Sequence, residues 1–100
     1  MPASPLSEAD ATARLNSLSG WRLDNNEIVR EFKLPDFRAS LAFVNQVGDL
    51  AEQAGHHPDI DIRYNRVRFA LATHDAGGLT EKDFDLAAKI NSLESIFQPK

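Results

Sequence analysis

The chain has 100 residues, 42% of them apolar, which is enough for one domain with its own core. It has no cysteine, which excludes disulfides and thiolate chemistry, and its net charge of -4 argues against a general affinity for nucleic acid or acidic lipid. The N-terminus lacks the basic and apolar regions of a secretory signal, and no apolar run approaches the ~18 residues of a membrane span, so a small soluble cytoplasmic domain is expected.

Residues 1–6 read as a flexible lead and 7–100 as the folded domain. Ser7 is a good helix N-cap, with Glu8 and Asp10 placed for the positive end of the dipole. Leu15 and Leu18 give this first helix an apolar edge, and Gly20 is expected to end it. A hairpin follows. Trp21 and Leu23 alternate with Arg22 and Asp24, and Asn25-Asn26 tolerates the positive φ of a two-residue turn. That turn sets Leu23 against Ile28 and Trp21 against Arg30. Ile28, Arg30, Phe32 and Leu34 then share one face, with Val29, Glu31 and Lys33 on the other.

Pro35 closes the strand and Asp36 can cap the next helix. Phe37, Leu41, Val44, Val47 or Gly48, Leu50 or Ala51, and Ala54 recur at helical spacing, so this long helix is expected to run to about Gln53 or Ala54, with Gly55 just past its end. Phe43 falls off that stripe and suggests a second apolar face for an oligomer contact.

Past Pro58, Ile60, Ile62 and Tyr64 alternate with Asp59, Asp61 and Arg63, and Val67, Phe69 and Leu71 alternate with Arg68, Ala70 and Ala72. A turn at Asn65-Arg66 would face Tyr64 with Val67, Ile62 with Phe69 and Ile60 with Leu71. Extended, that register sets His57 across from His74, with His56 beside both. A loop over 75–79 leads to Thr80-Glu81-Lys82-Asp83, a capping box with Asp at its last position. The final helix carries Phe84, Ala87, Ala88, Ile90, Leu93 or Glu94, and Phe97, and Pro99 is expected to end it. The order predicts an α+β fold, helix-strand-strand-helix-strand-strand-helix. A four-stranded, mostly antiparallel sheet has helices on its apolar face. The other face, with Asp61, Arg63 and Arg68, is left open to solvent or a ligand.

Three histidines meeting at one strand end, with Glu52 a helical turn before His56 and Asp83 beyond the loop, form the most specific constellation in the chain. Isolated histidines at element ends mostly do no chemistry. Three imidazoles could hold zinc with an open water position, but adjacent residues seldom point the same way and no HExxH helix is present. No serine or threonine lies in a nucleophile elbow, and Gly77-Gly78 lacks the lysine of a phosphate loop. Thr73 takes the core-facing parity and Thr80 reads as a cap. General acid–base chemistry without metal or organic cofactor ranks first, since imidazole exchanges a proton near neutral pH.

Glu52-x-x-x-His56-His57-Pro58, then Tyr64, His74 and Asp83 resemble the signature of the pterin-4a-carbinolamine dehydratases. Gly20-Trp21, Ile28 to Phe32, Phe37, Phe43, Thr73-His74 and Gly78-Leu79-Thr80-x-x-Asp83 extend the likeness from about Leu18 to Ile90. The resemblance implies the family's fold, in the element order read above. It also implies cofactor-independent dehydration of 4a-hydroxytetrahydrobiopterin, or a related 4a-hydroxytetrahydropterin, to the quinonoid dihydropterin, which recycles the cofactor of an aromatic amino acid hydroxylase. By the same resemblance His56 and His74 are acid–base groups at the 4a-hydroxyl, and His57 orients the pterin or acts at N5. Glu52 and Asp83 orient the histidines, Pro58 aims His57, and Trp21 borders the pterin. The family's habit implies a dimer or tetramer. Its non-catalytic members, which stabilise a transcription-factor dimer or assist enzyme assembly, supply the rival reading.

Overall fold

Residues 5–97 are described in a computed structural model. Helix α1 (Glu8–Asn16) precedes a hairpin of β1 (Arg22–Asp24) and β2 (Glu27–Lys33). The long helix α2 (Phe37–Ala54) leads to a second hairpin of β3 (Asp59–Arg63) and β4 (Arg66–Leu71). A 3-10 turn at His74–Ala76 then delivers the chain to α3 (Glu81–Phe97). The strands form one fully antiparallel sheet in the order β1-β2-β4-β3, so β2 and β4 join the two hairpins at its centre. This is the α+β architecture expected from the alternation of patterns. Among the described residues no helix is long and apolar enough to cross a membrane.

Local chemistry accounts for the first half of the chain. Ser7 Oγ accepts from the Asp10 N–H, and Asp36 Oδ1 accepts from the Ala39 N–H at 2.8 Å, so both expected caps form. Asn25 and Asn26 both adopt positive φ, which matches a two-residue hairpin loop to the right-handed strand twist, and Leu23 faces Ile28. The expectation for the end of α1 is corrected. The helix stops at Asn16, where Ser17 and Leu18 bond back to Arg14 and Leu15. Gly20, at φ +84°, instead turns the chain into β1, and the Arg30 guanidinium fills the space a Cβ would need, 2.5 Å from Nε. Leu6 donates its N–H to the Leu79 carbonyl and packs against the core; residues 1–4 of the expected lead, and Pro99, lie outside the described residues.

Two further expectations change. The second turn falls at Tyr64-Asn65, with Tyr64 at φ 53°, so Ile62 pairs with Val67 and Ile60 with Phe69. The slip is two residues, which preserves every side chain's face, so strand parity alone could not expose it. Its cause is tertiary. Leu34 of the incoming chain donates its N–H to the Asn65 carbonyl, and the Asn65 amide donates back to the Leu34 carbonyl, which pins that turn against the end of β2.

The other change concerns α2. Its core face is Ser40, Phe43, Val47 and Ala51, whereas Phe37 and Leu41 are 47% and 42% exposed. Phe43, expected on a second face, is fully buried and meets Phe32, Phe69 and Phe97 at ring-centroid distances of 4.9, 5.7 and 5.3 Å. The stripe read from spacing therefore faces outward at Phe37 and Leu41, whereas its Val47 and Ala51 are buried and Val44 and Leu50 pack against the core. On α3, Leu86 joins the buried set with Phe84, Ala87 and Ile90, while Ala88 is exposed.

The sheet presents Ile28, Phe32, Val67, Phe69 and Leu71 to this core. Its opposite face carries Arg22, Lys33, Arg63, Arg66 and Arg68 against Asp24, Glu27, Glu31, Asp59 and Asp61. Arg63–Asp61, Arg66–Glu31 and Arg68–Asp24 are ion pairs, so that face is a balanced mosaic and not a single-sign field.

Candidate active site

The end of α2 builds one wall of the site. Gly55 takes the left-handed conformation, at φ 62° and ψ 32°, and donates its N–H to the Glu52 carbonyl, while the His56 N–H reaches the Ala51 carbonyl. This Schellman arrangement satisfies the last helical carbonyls and fixes the direction in which His56-His57-Pro58 leaves the helix. Continued past the end of β3, the observed register sets His57 across from Ala72, His56 across from Thr73 and Gly55 across from His74. The expected His57–His74 opposition is therefore shifted by two residues. The convergence survives: His56, His57 and His74 line one cleft of about 230 Å³ with Gly55, Asp75 and Lys82.

Each of the two adjacent histidines has its own carboxylate. His56 Nε2 lies 2.6 Å from Asp83 Oδ1, and that pair is nearly dry: the His56 side chain is 11% exposed and the Asp83 side chain 0%. His57 Nε2 lies 2.5 Å from Glu52 Oε2, both groups being well exposed at the rim. Glu52 thus serves His57, although sequence spacing places it a turn before His56. His74 opens the 3-10 turn and is exposed. Pro58 follows His57 at the start of β3 and is partly buried.

Asp83 is tied down on its other side. Its Oδ2 accepts from Thr73 Oγ1 and from the Thr80 N–H, both at 2.9 Å, and the two threonine hydroxyls lie 2.8 Å apart. In the sequence Thr73 has the parity of a core residue and Thr80 the position of a cap, so neither stands out as part of the site. The signal available was the parity that buries Thr73, since a buried hydroxyl needs a partner. No buried side-chain nitrogen or oxygen among the described residues lacks a hydrogen-bond partner.

Trp21 is not brought to the histidines. It is buried, donates its indole N–H to Asn91 Oδ1 at 2.7 Å, and packs edge-on against Phe32. Among the described residues no group of three His, Cys, Asp or Glu side chains is arranged to hold a metal ion. The cleft therefore offers one imidazole held by a buried carboxylate, one by an exposed carboxylate, and a third exposed to solvent. That arrangement suits proton transfer at a small polar molecule.

The model of the family described as pterin 4 alpha carbinolamine dehydratase matches residues 4–93. A Chloroflexus aurantiacus protein provisionally named a pterin-4-alpha-carbinolamine dehydratase is 65% identical over 88 residues, which is 88% of this chain and 95% of that one. An Acidobacterium capsulatum protein with the same provisional name is 66% identical over 80 residues, covering 80% and 87% of the two chains. Among solved structures, the chain resembles a transcriptional coactivator/pterin dehydratase from Brucella melitensis, with a TM-score of 0.88 and 36% identity over 91% of this chain and 99% of that one. A pterin dehydratase-like protein identified as a RuBisCO assembly factor in the alpha-carboxysome shares the fold, with a TM-score of 0.63 at 23% identity over 75% and 89%.

Proposed function

The chain belongs to the pterin 4 alpha carbinolamine dehydratase family, and on that premise we propose that it dehydrates a 4a-hydroxytetrahydropterin, such as 4a-hydroxytetrahydrobiopterin, to the quinonoid dihydropterin. The observation that carries the reading is the buried His56–Asp83 pair opening onto a cleft shared with His57 and His74. In the reaction the C4a–O bond breaks and the oxygen leaves as water once protonated. The N5 proton is given up, and its electron pair forms the C4a=N5 bond. One imidazole donates a proton and another accepts one, so no redox partner is required.

His56 is suited to exchange at Nδ1, because Nε2 is engaged by Asp83. His74 has the freedom to follow the departing hydroxyl, and His57, braced by Glu52 at the rim, is placed to orient the heterocycle. Each positioned acid or base is typically worth ~10²–10⁴-fold in rate. The physiological setting proposed is cytoplasmic recycling of the pterin cofactor of an aromatic amino acid hydroxylase, by a homo-oligomer.

A spectrophotometric assay following loss of a 4a-hydroxytetrahydropterin tests this directly. The protein should accelerate the decay over the spontaneous rate, and the His56→Ala/His74→Ala double variant should lose about 10²-fold or more of that acceleration. Unchanged dehydration in the double variant would remove the catalytic assignment. No acceleration by the wild-type chain would favour a binding or assembly role on the same fold, the role identified for the alpha-carboxysome protein.

A further inference from the structure

The threonine pair behind Asp83 has a direction. Thr73 Oγ1 has one proton and gives it to Asp83 Oδ2, because a carboxylate can only accept. The 2.8 Å contact between the hydroxyls must then be donated by Thr80 Oγ1, which in turn accepts the Lys82 N–H at 3.3 Å. Thr73, Thr80 and Asp83 are buried, Asp83 fully, and hydrogen bonds in such low-dielectric surroundings are strengthened. A chain of oriented hydroxyls therefore runs from Thr80 through Thr73 to Asp83 and ends on the ring of His56.

We infer that Thr73, with Thr80 behind it, is a positioning residue that holds Asp83 Oδ1 on His56 Nε2 and so sets His56 as the Nε2–H tautomer, with Nδ1 as the nitrogen left for substrate. The geometry has a specific logic. Oδ2 is saturated by the Thr73 hydroxyl and the Thr80 N–H, so the carboxylate cannot rotate, and Oδ1 is left to accept from the imidazole. The neutral ring must then carry its proton on Nε2. Nδ1 has no partner among the described residues, and since no buried side-chain nitrogen or oxygen among them goes unpaired, it is open to solvent in the cleft. Chain topology agrees with this: counted beyond the last pair, Asp59–Ala70, the hairpin leads His56 and Thr73 off the same end of β3 and β4, where the Thr73 backbone bonds to Gly78. Two adjacent strand ends and the first turn of α3 thus converge on one carboxylate. This assignment rests on the proposed dehydratase reading only for its effect on rate; the tautomer is a property of the free protein.

The test uses the full chain labelled with ¹⁵N, with long-range proton–nitrogen correlation of the histidine rings recorded above their titration range. In the wild type the His56 Nε2 signal should be of protonated, pyrrole type and Nδ1 of bare, pyridine type. Thr73→Val removes the hydroxyl at nearly constant volume. It should convert His56 to a mixture of tautomers and lower the dehydration rate by about tenfold, the scale of one lost hydrogen bond to a charged group. Thr73→Ser should restore both to within about twofold, since it returns the donor. A wild-type ring protonated on Nδ1 would overturn the assignment without any variant, as would a Thr73→Val protein with unchanged ring signals and rate. If Thr73→Val merely melts earlier, with ring signals as in wild type, the pair is structural only and the inference is lost. Should Thr73→Val not fold, Thr80→Val carries the same expectation with a smaller effect, and the wild-type spectrum decides alone. A wild-type chain without dehydratase activity would end the functional reading and leave the ring-nitrogen comparison intact.

Discussion

Two carboxylates beside two histidines look interchangeable in the sequence and are opposite in physical character. Asp83 is buried and accepts from a threonine hydroxyl and a backbone N–H as well as facing His56. Its removal would strand several polar groups in a dry site, each worth about 1–3 kcal/mol. Asp83→Ala is therefore expected to lower unfolding stability by about 2–4 kcal/mol in urea titrations and to slow dehydration as well. Glu52 and His57 face solvent, where an ion pair is worth about 0–1 kcal/mol. Glu52→Gln should leave the urea midpoint almost unchanged and act, if at all, on KM, since only the orientation of the rim imidazole is altered. The contrast between the two variants checks the division of labour.

At the scale of elements, two packing solutions set the frame that carries the cleft. On α2, Phe43 sits among three other aromatic rings while Leu41, two residues earlier, faces out. Phe43→Ala should cost about 3–5 kcal/mol, the usual loss for a buried aromatic, and Leu41→Ala much less in the isolated fold. Beside the same aromatic cluster, Arg30 in the middle of β2 ties that strand to α3. Its Nη2 donates to both carboxylate oxygens of Glu94 at 2.9 Å, its Nη1 donates to Asn91 Oδ1 at 2.6 Å, and the guanidinium carbon lies 4.1 Å from the centroid of the Phe32 ring. Gly20 exists to admit that side chain. Gly20→Ala would impose a left-handed backbone on alanine, about 1–2 kcal/mol, and push Arg30 from its seat. Thermal unfolding should show a clear loss, and dehydration at low temperature should persist because the histidines are held by other elements.

For the molecule as a whole, α2 carries an outward apolar edge that the described residues leave uncovered. Phe37, Leu41, Val44 and Gly48 follow one another along the helix at helical spacing, the first two largely exposed and Gly48 bordered by open space. The homo-oligomer proposed above would find an apolar surface there, on a chain whose sheet face is instead a mosaic of paired charges. Light scattering after size exclusion should report a dimer or tetramer for the wild type and a smaller species for Phe37→Glu/Leu41→Glu. A folded wild-type monomer at micromolar concentration would remove this part of the reading.

The sequence by itself determined what is local. The Ser7 and Asp36 caps, the Asn25-Asn26 turn, the glycine that ends α2 and the order of elements depend on residues within a few positions of one another, where backbone sterics and short hydrogen bonds decide. The gathering of His56, His57 and His74 was also legible, because strand parity survives a slip of two. Tertiary structure decided the rest. Competing apolar stripes on one helix differ only in what they pack against, so Phe43 went inside and Phe37 and Leu41 outside. The hairpin turn settled at Tyr64-Asn65 because Leu34, just past β2 and 31 residues away, bonds Asn65. Which carboxylate meets which imidazole followed from the same distant contacts. Asp83 reaches His56 across two elements, and the threonines that orient it are neighbours only once the sheet and α3 have docked.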